Sequence, residues 1–238
     1  REDVVRRGPK RPPLAAGLRG DGSGVVRVAR TAGITEAIRA GWAAGGGATD
    51  ALTIEEVDVA GPSTSATIRA AGWAEGAVLA AARTPLPSPD TTTDAGDVAG
   101  GEDGGEDGGE EWIGPITHPD GGRAWARWDG ETIAVRVAAG DALDAVTLRS
   151  YCVGAAHQAA SWVTSESLTV DGDGAVHDLT IRSFGVLRSV DTPPITVEIV
   201  DEAGPAVAVS DAVFAAVAAA VWVGTGGAPI WPTGDALR

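Results

Sequence analysis

Residues 84–111 read TPLPSPDTTTDAGDVAGGEDGGEDGGEE, proline-rich at first and then built on a repeated Gly-Gly-acid-acid unit. So few apolar side chains cannot bury enough surface to offset the entropy of ordering the backbone, and the sequence predicts a disordered linker. The tract divides the chain into an N-terminal segment, 1–83, and a C-terminal segment, 112–238. Carboxylates spaced by glycines can also wrap a hard cation, but neither EF-hand spacing nor a nonapeptide β-roll pattern is present.

On either side of the tract the composition allows a core, but one of small parts. The chain has 238 residues and is 44% hydrophobic, with two Phe, one Tyr and no Met. Ala and Val dominate, so the eight Trp must supply much of the bulk. The net charge of −15 argues against nucleic acid and anionic membrane surfaces as partners. No apolar run is long enough to span a bilayer and no signal peptide opens the chain, which makes a cytoplasmic location the expectation. Cys152, the single cysteine, excludes an internal disulfide and any iron–sulfur cluster held by cysteines of this chain alone. A chain that starts REDVVRRGPKRPP and lacks methionine reads as a piece of a longer protein or a processed product.

Local patterns predict α+β architecture, with mixed or antiparallel sheets in the two segments. Residues 1–20 read as a basic, Pro-rich arm or a strand whose partner is missing. Strands are expected over Val25–Arg30 and Leu52–Val59, and helices over Gly33–Ala44 and Ala66–Arg83. After the tract, Trp112–Thr117, Arg123–Trp128 and Thr132–Val137 alternate as strands, with hairpin turns at Pro119-Asp120-Gly121-Gly122 and Asp129-Gly130. Asp141 is the expected N-cap of a helix running to about Ser165. A hairpin follows over Leu168–Ile181, then a strand at Ile195–Val200 and a helix at Ala212–Trp222 capped by Ser210 or Asp211.

Three segments, in chain order, carry a resemblance. The opening REDVVRRGPKRPP comes first. Second is Thr67-Ile68-Arg69-Ala70-Ala71-Gly72, with Pro62 upstream. Third is the stretch from Leu148 to Trp222, beginning Arg149-Ser150-Tyr151-Cys152-Val153-Gly154-Ala155. Together they resemble the molybdopterin-binding large subunit of xanthine dehydrogenases and aldehyde oxidases, the molybdenum hydroxylases. The likeness implies an oxidoreductase that binds molybdopterin, hydroxylates an aldehyde or N-heterocycle, and passes electrons to iron–sulfur and flavin subunits or domains. In that family a segment R-G-Q-x-x-G-G lines the pterin. Arg149, Ser150, Tyr151, Gly154 and Ala155 stand at its positions here, so the resemblance makes them cofactor-binding candidates. A second family motif, A-F-R-G-F-G, places its arginine near the metal centre. Arg69 matches that arginine and Gly72 the final glycine, which makes Arg69 a catalytic candidate and Gly72 a cofactor neighbour. The exchange of Tyr151 for Gln removes an amide, and Ile68 and Ala71 replace the two Phe.

The family's general base is a glutamate in a G-x-G-E-P-P loop before the last helix. Aligned on Val213-Phe214-Ala215-Ala216, that position holds Gly204, while Glu202 lies two residues away and is the remaining candidate. Losing such a base removes roughly 10²–10⁴-fold in rate. The resemblance therefore leaves two readings: a fragment or reduced form of the enzyme, or a non-catalytic homologue serving as scaffold or partner subunit. Elsewhere, His118, His157 and His177 are scattered with no ligand-spaced carboxylate or cysteine, so no metal site is expected. Cys152 reads as a small core residue.

Overall fold

The computed structural model describes residues 14–19, 21–59, 72–83, 112–167, 180–228, 231–234 and 237. The expected helix start at 66–71, most of the 168–181 hairpin and the 84–111 linker lie outside the described residues. Among those described the architecture is α+β, with two mixed sheets against one layer of helices.

The first sheet is ordered β1-β2-β3, from β1 (Leu14–Leu18), β2 (Gly24–Ala29) and β3 (Leu52–Val57). β1 and β2 are antiparallel, whereas β3 lies parallel to β2 after a crossover through α1 (Ile34–Ala44). The second sheet is ordered β4-β5-β6-β7, from β4 (Ile113–Thr117), β5 (Arg123–Trp128), β6 (Ile133–Ala138) and β7 (Ile195–Ile199). Its β5–β6 hairpin is again followed by a parallel strand, β7, after α3 (Ala145–Thr164). Each sheet thus contains a hairpin plus a parallel crossover strand. Even the cross-strand charges agree, since Arg27 faces Glu55 across β2–β3 at 2.8 Å and Arg136 faces Glu198 across β6–β7 at 2.8 Å. Helix α2 (Trp73–Arg83) follows the first sheet and α5 (Ser210–Gly224) the second. A short α4 (Ile181–Phe184) precedes β7.

Small residues set the helix packing. Gly41 of α1 and its C-cap Gly45 lie against α2, and a Cβ on Gly41 would sit 1.8 Å from the Trp73 carbonyl oxygen. One on Gly76 of α2 would sit 2.2 Å from the Ile38 carbonyl oxygen. The backbones of α1 and α2 therefore touch, and no other residue type fits at the crossing. On the other side of α2, Trp73, Ala74, Ala77, Val78 and Ala81 join one buried cluster with α5, α3 and the second sheet. The core crosses from the N-terminal segment into the C-terminal one without a break. It is built chiefly from Ala and Val, with Trp162, Phe214, Trp222 and Trp231 meeting in tilted and edge-on contacts at about 5 Å to fill the larger spaces.

Three local expectations are corrected. The cap of α3 is Asp144, whose side chain accepts from the Thr147 N–H at 2.6 Å. Asp141 instead accepts from the Gly204 N–H at 3.3 Å and ties the loop after β7 to the end of β6. A Cβ-bearing residue at 140 would meet that loop, because Gly140 has φ of 64° and its Cβ would lie 2.3 Å from the Pro205 carbonyl oxygen. The N-cap of α5 is Val209, with no side-chain bond, and Ser210 and Asp211 fall inside the first turn. At the end of the expected 168–181 hairpin, Thr180 caps α4 through a reciprocal bond pair with Ser183 rather than continuing a strand. In the basic arm, the residues from Leu14 onward pair with β2, which completes a hairpin the composition concealed.

Candidate functional site

Helix α3 is packed away over its C-terminal half and, before it, at Cys152. Ala155, Ala156, Ala159, Ala160 and Val163 are buried in the cluster shared with α5, while Ala145–Thr147, Ser150, Tyr151 and Gly154 are exposed. β7 is the edge strand of its sheet, and α3 packs chiefly on α5 and β7. Leu143, Val146 and Tyr151 are left as large exposed apolar side chains, Leu143 at 98% exposure.

A groove of about 570 Å³ opens along this half-helix, lined by Val146, Thr147, Ser150, Tyr151, Gly154, Ala155 and Gln158. The lining is uncharged. Two side-chain hydroxyls (Thr147, Ser150), the Tyr151 phenol and the Gln158 amide are its polar groups, and each can donate and accept. Gly154 adds an open stretch of backbone, since a Cβ there would meet nothing within 4 Å. Four of the sequence-derived candidates, Ser150, Tyr151, Gly154 and Ala155, come together in this groove. Val146, Thr147 and Gln158 join them and were not singled out from the sequence, although their three- and four-residue spacing on a helix was the available signal.

The other candidates lie elsewhere. Arg149 is turned to the sheet edge, where its guanidinium donates to the Val197 carbonyl of β7. Gly72 starts α2 with φ of 81° and its N–H donates to the buried Glu75 carboxylate at 2.6 Å. Glu202 lies in the loop after β7 and is ion-paired with Arg123 at 2.5 Å. Arg69 lies outside the described residues.

A second constellation was not foreseen. His118, in the turn between β4 and β5, has Nδ1 3.4 Å from an Asp120 carboxylate oxygen and Nε2 4.0 Å from one of Asp211. The Trp73 ring meets it edge-on at 5.1 Å. The starts of α2 and α5 thus converge on a histidine whose sequence neighbourhood offers only the Asp120 carboxylate. Asp120 also donates its N–H to Nδ1 at 3.3 Å. Among the described residues no group of three or more His, Cys, Asp or Glu is placed to hold a metal. His157 is held by the Leu187 carbonyl oxygen at 2.9 Å. Cys152 is fully buried, and burial pushes its thiol up to about 11, well away from a reactive thiolate. No described helix is long and apolar enough to cross a membrane.

No protein-family model matches the chain, and no curated protein sequence matches it. Solved structures do overlap with it. One is quinoline 2-oxidoreductase from Pseudomonas putida 86, with 12% identity and a TM-score of 0.38 over 92% of this chain and 37% of that one. Another is a Cu,Mo-CO dehydrogenase in its carbon monoxide-reduced state, with 13% identity and a TM-score of 0.31 over 96% and 36%. A third is the reconstituted CO dehydrogenase from Oligotropha carboxidovorans, with 13% identity and a TM-score of 0.30 over 96% and 35%. The chain spans little more than a third of the length of these solved chains. Overlap at this level fixes neither family nor activity.

Proposed function

We propose that this chain is a framework segment of a molybdenum-hydroxylase-like oxidoreductase, in which the exposed half of α3 forms one wall against molybdopterin. The observation that carries the reading is the meeting of Ser150, Tyr151, Gly154 and Ala155 in one open, uncharged groove. These are the positions where the sequence resembles the pterin-lining segment. When bound, the cofactor supplies the redox-active metal centre. The chain's own part is to bind and orient: Gly154 lets a flat ring approach the backbone, and Thr147, Ser150 and Tyr151 offer hydroxyl hydrogen bonds to its edge.

The fit is partial. A phosphate-bearing cofactor also needs cationic or clustered N–H donors, and the groove has none, Arg149 being committed to β7. Those donors belong to other parts of a larger assembly, with iron–sulfur and flavin partners, a cytoplasmic setting, and an aldehyde or N-heterocycle as the substrate class. A second reading, a non-catalytic scaffold or partner subunit, is favoured by one observation. Glu202, the remaining candidate base, is bound to Arg123 at the sheet end. Catalysis by this chain alone is not proposed.

The test is the molybdenum and pterin content of the purified full-length protein beside its Gly154→Leu variant. Because the Gly154 position is open, leucine fills the groove without touching the fold. Circular dichroism should be unchanged while cofactor content drops at least tenfold. A wild-type protein free of molybdenum and of pterin fluorescence would sink the cofactor reading.

A further inference from the structure

The C-terminal end of α3 meets the turn that follows α4, and the contact is close. Gly185 has φ of 84°, and a Cβ there would lie 2.4 Å from the Ser165 carbonyl oxygen. The chain beyond it is pinned on both sides of Leu187. Its N–H donates to the buried Ser161 hydroxyl at 2.8 Å, and its carbonyl oxygen meets His157 Nε2 at 2.9 Å. The Arg188 carbonyl then accepts from the Asp191 N–H and the Thr192 hydroxyl, both at 2.9 Å. A fixed backbone thus crosses the end of α3, and a cavity of about 580 Å³ opens beside it. Two arginines, Arg182 and Arg188, line this cavity together with apolar Val186 and Leu187, the Ser165 end of α3, and Asp191.

The charges in this lining are unbalanced. Arg188 donates through Nε to Asp191, and its other N–H groups remain open to a ligand. Arg182 has no hydrogen-bond or ion-pair partner among the described residues. The last carbonyls of α3 do not compete for these donors, because Val163 and Thr164 accept from the N–H groups of Thr233 and Gly234 at 2.9 and 3.0 Å. Two guanidiniums thus face one carboxylate, on a chain whose net charge is −15. We propose that this cavity binds a small organic monocarboxylate. Its anion sits on Arg182 and the open donors of Arg188, and its apolar body rests on Val186 and Leu187. A guanidinium fork matches a planar carboxylate through two parallel hydrogen bonds. The volume falls within the range of roughly 300–1,000 Å³ usual for small-molecule sites. Asp191 repels a second negative charge, which selects a monoanion over a phosphate dianion. The cavity lies at the opposite end of α3 from the Tyr151 groove, and its occupancy is independent of the cofactor reading.

The test titrates benzoate into the full chain, read by calorimetry and by the ring proton signals of His157, which contacts the Leu187 carbonyl at the cavity. Wild-type protein should bind benzoate in the millimolar range and shift the His157 signals. Benzamide, of the same shape without the charge, should bind at least about tenfold more weakly. Arg182→Gln should lose about tenfold in benzoate affinity, while Arg182→Lys, which keeps the charge but not the fork, should lose only part of it. Arg182 is exposed, so circular dichroism should show both variants folded as the wild type. Phenyl phosphate should bind no more tightly than benzoate. No benzoate binding by the wild type at tens of millimolar, equal affinity for benzamide, or unchanged affinity in Arg182→Gln would each overturn the proposal. Tighter binding of phenyl phosphate than of benzoate would also overturn it, in favour of a phosphoryl site.

Discussion

Individual glycines do opposite work in this molecule, and the difference is measurable. At Gly41 and Gly76 the space for a Cβ is taken by the backbone of the neighbouring helix, at 1.8 and 2.2 Å. Backbone cannot swing away as a side-chain end can. Gly41→Ala or Gly76→Ala should therefore cost about 2–3 kcal/mol, the upper range for overpacking a core, despite alanine's better helix propensity. At Gly154 the same change meets nothing within 4 Å, so propensity alone acts and Gly154→Ala should stabilise by up to about 1 kcal/mol. Urea denaturation of the three variants reads both signs. Equal effects at Gly76 and Gly154 would mean that α1 and α2 do not touch as described. The two cases look alike in sequence, each a glycine in a helical run. The spacing Gly41-x-x-x-Gly45 and Gly72-x-x-x-Gly76 was the legible clue to close helix approach, but it needs the partner helix to become an argument.

At the scale of elements, helix ends were the least legible feature. Asp141 and Asp144 both stand before α3 with the chemistry of a cap. What separates them is tertiary: the loop after β7 claims Asp141 and leaves Asp144 to the Thr147 N–H. The strands read well because their alternation and turns are local, whereas β1 was hidden by the basic, Pro-rich sequence before it. The groove was legible in part for the same reason. Small residues marked the helix face, but the exposure of that face depends on tertiary packing, and the His118 cluster depends on three elements far apart in sequence. The cap has a pH signature. The Thr147 N–H bond holds the Asp144 carboxyl below its usual value of 3.8. A depressed folded-state value means stabilisation that is present above the unfolded value and lost as pH falls through the folded one. Melting temperature should be level above about pH 5 and fall below pH 4, a range set by the ordinary carboxylate value. Asp144→Asn keeps the acceptor and loses the charge, so its melting temperature should decline less steeply over the same acid range. Parallel declines in the two proteins would place the acid sensitivity elsewhere.

For the whole molecule, the question is whether the acidic tract separates two folding units or interrupts one. The side chains decide it. Trp73, Ala74, Ala77, Val78 and Ala81 of α2 are buried in the same cluster as α5 and the second sheet, while Leu79 and Ala80 of the same helix belong to the cluster under the first sheet. Helix α2 is thus shared, and removing either neighbour would expose an apolar face. Burying apolar surface contributes roughly 25 cal/mol per Å², so separating α2 from α5 would expose Trp73, Ala77, Val78 and Ala81 at a cost on the order of several kcal/mol. Loss of the covalent link in the tract should not release the halves. With a site-specific protease sequence placed between residues 95 and 100, cleavage should give two pieces that co-elute on size exclusion at micromolar concentration and unfold together in one transition. The cleaved protein should melt lower than the intact one, because joining the pieces is now bimolecular and depends on concentration. Two separately eluting pieces, each with its own melting transition, would instead make the tract a true boundary and α2 a surface helix of the first half.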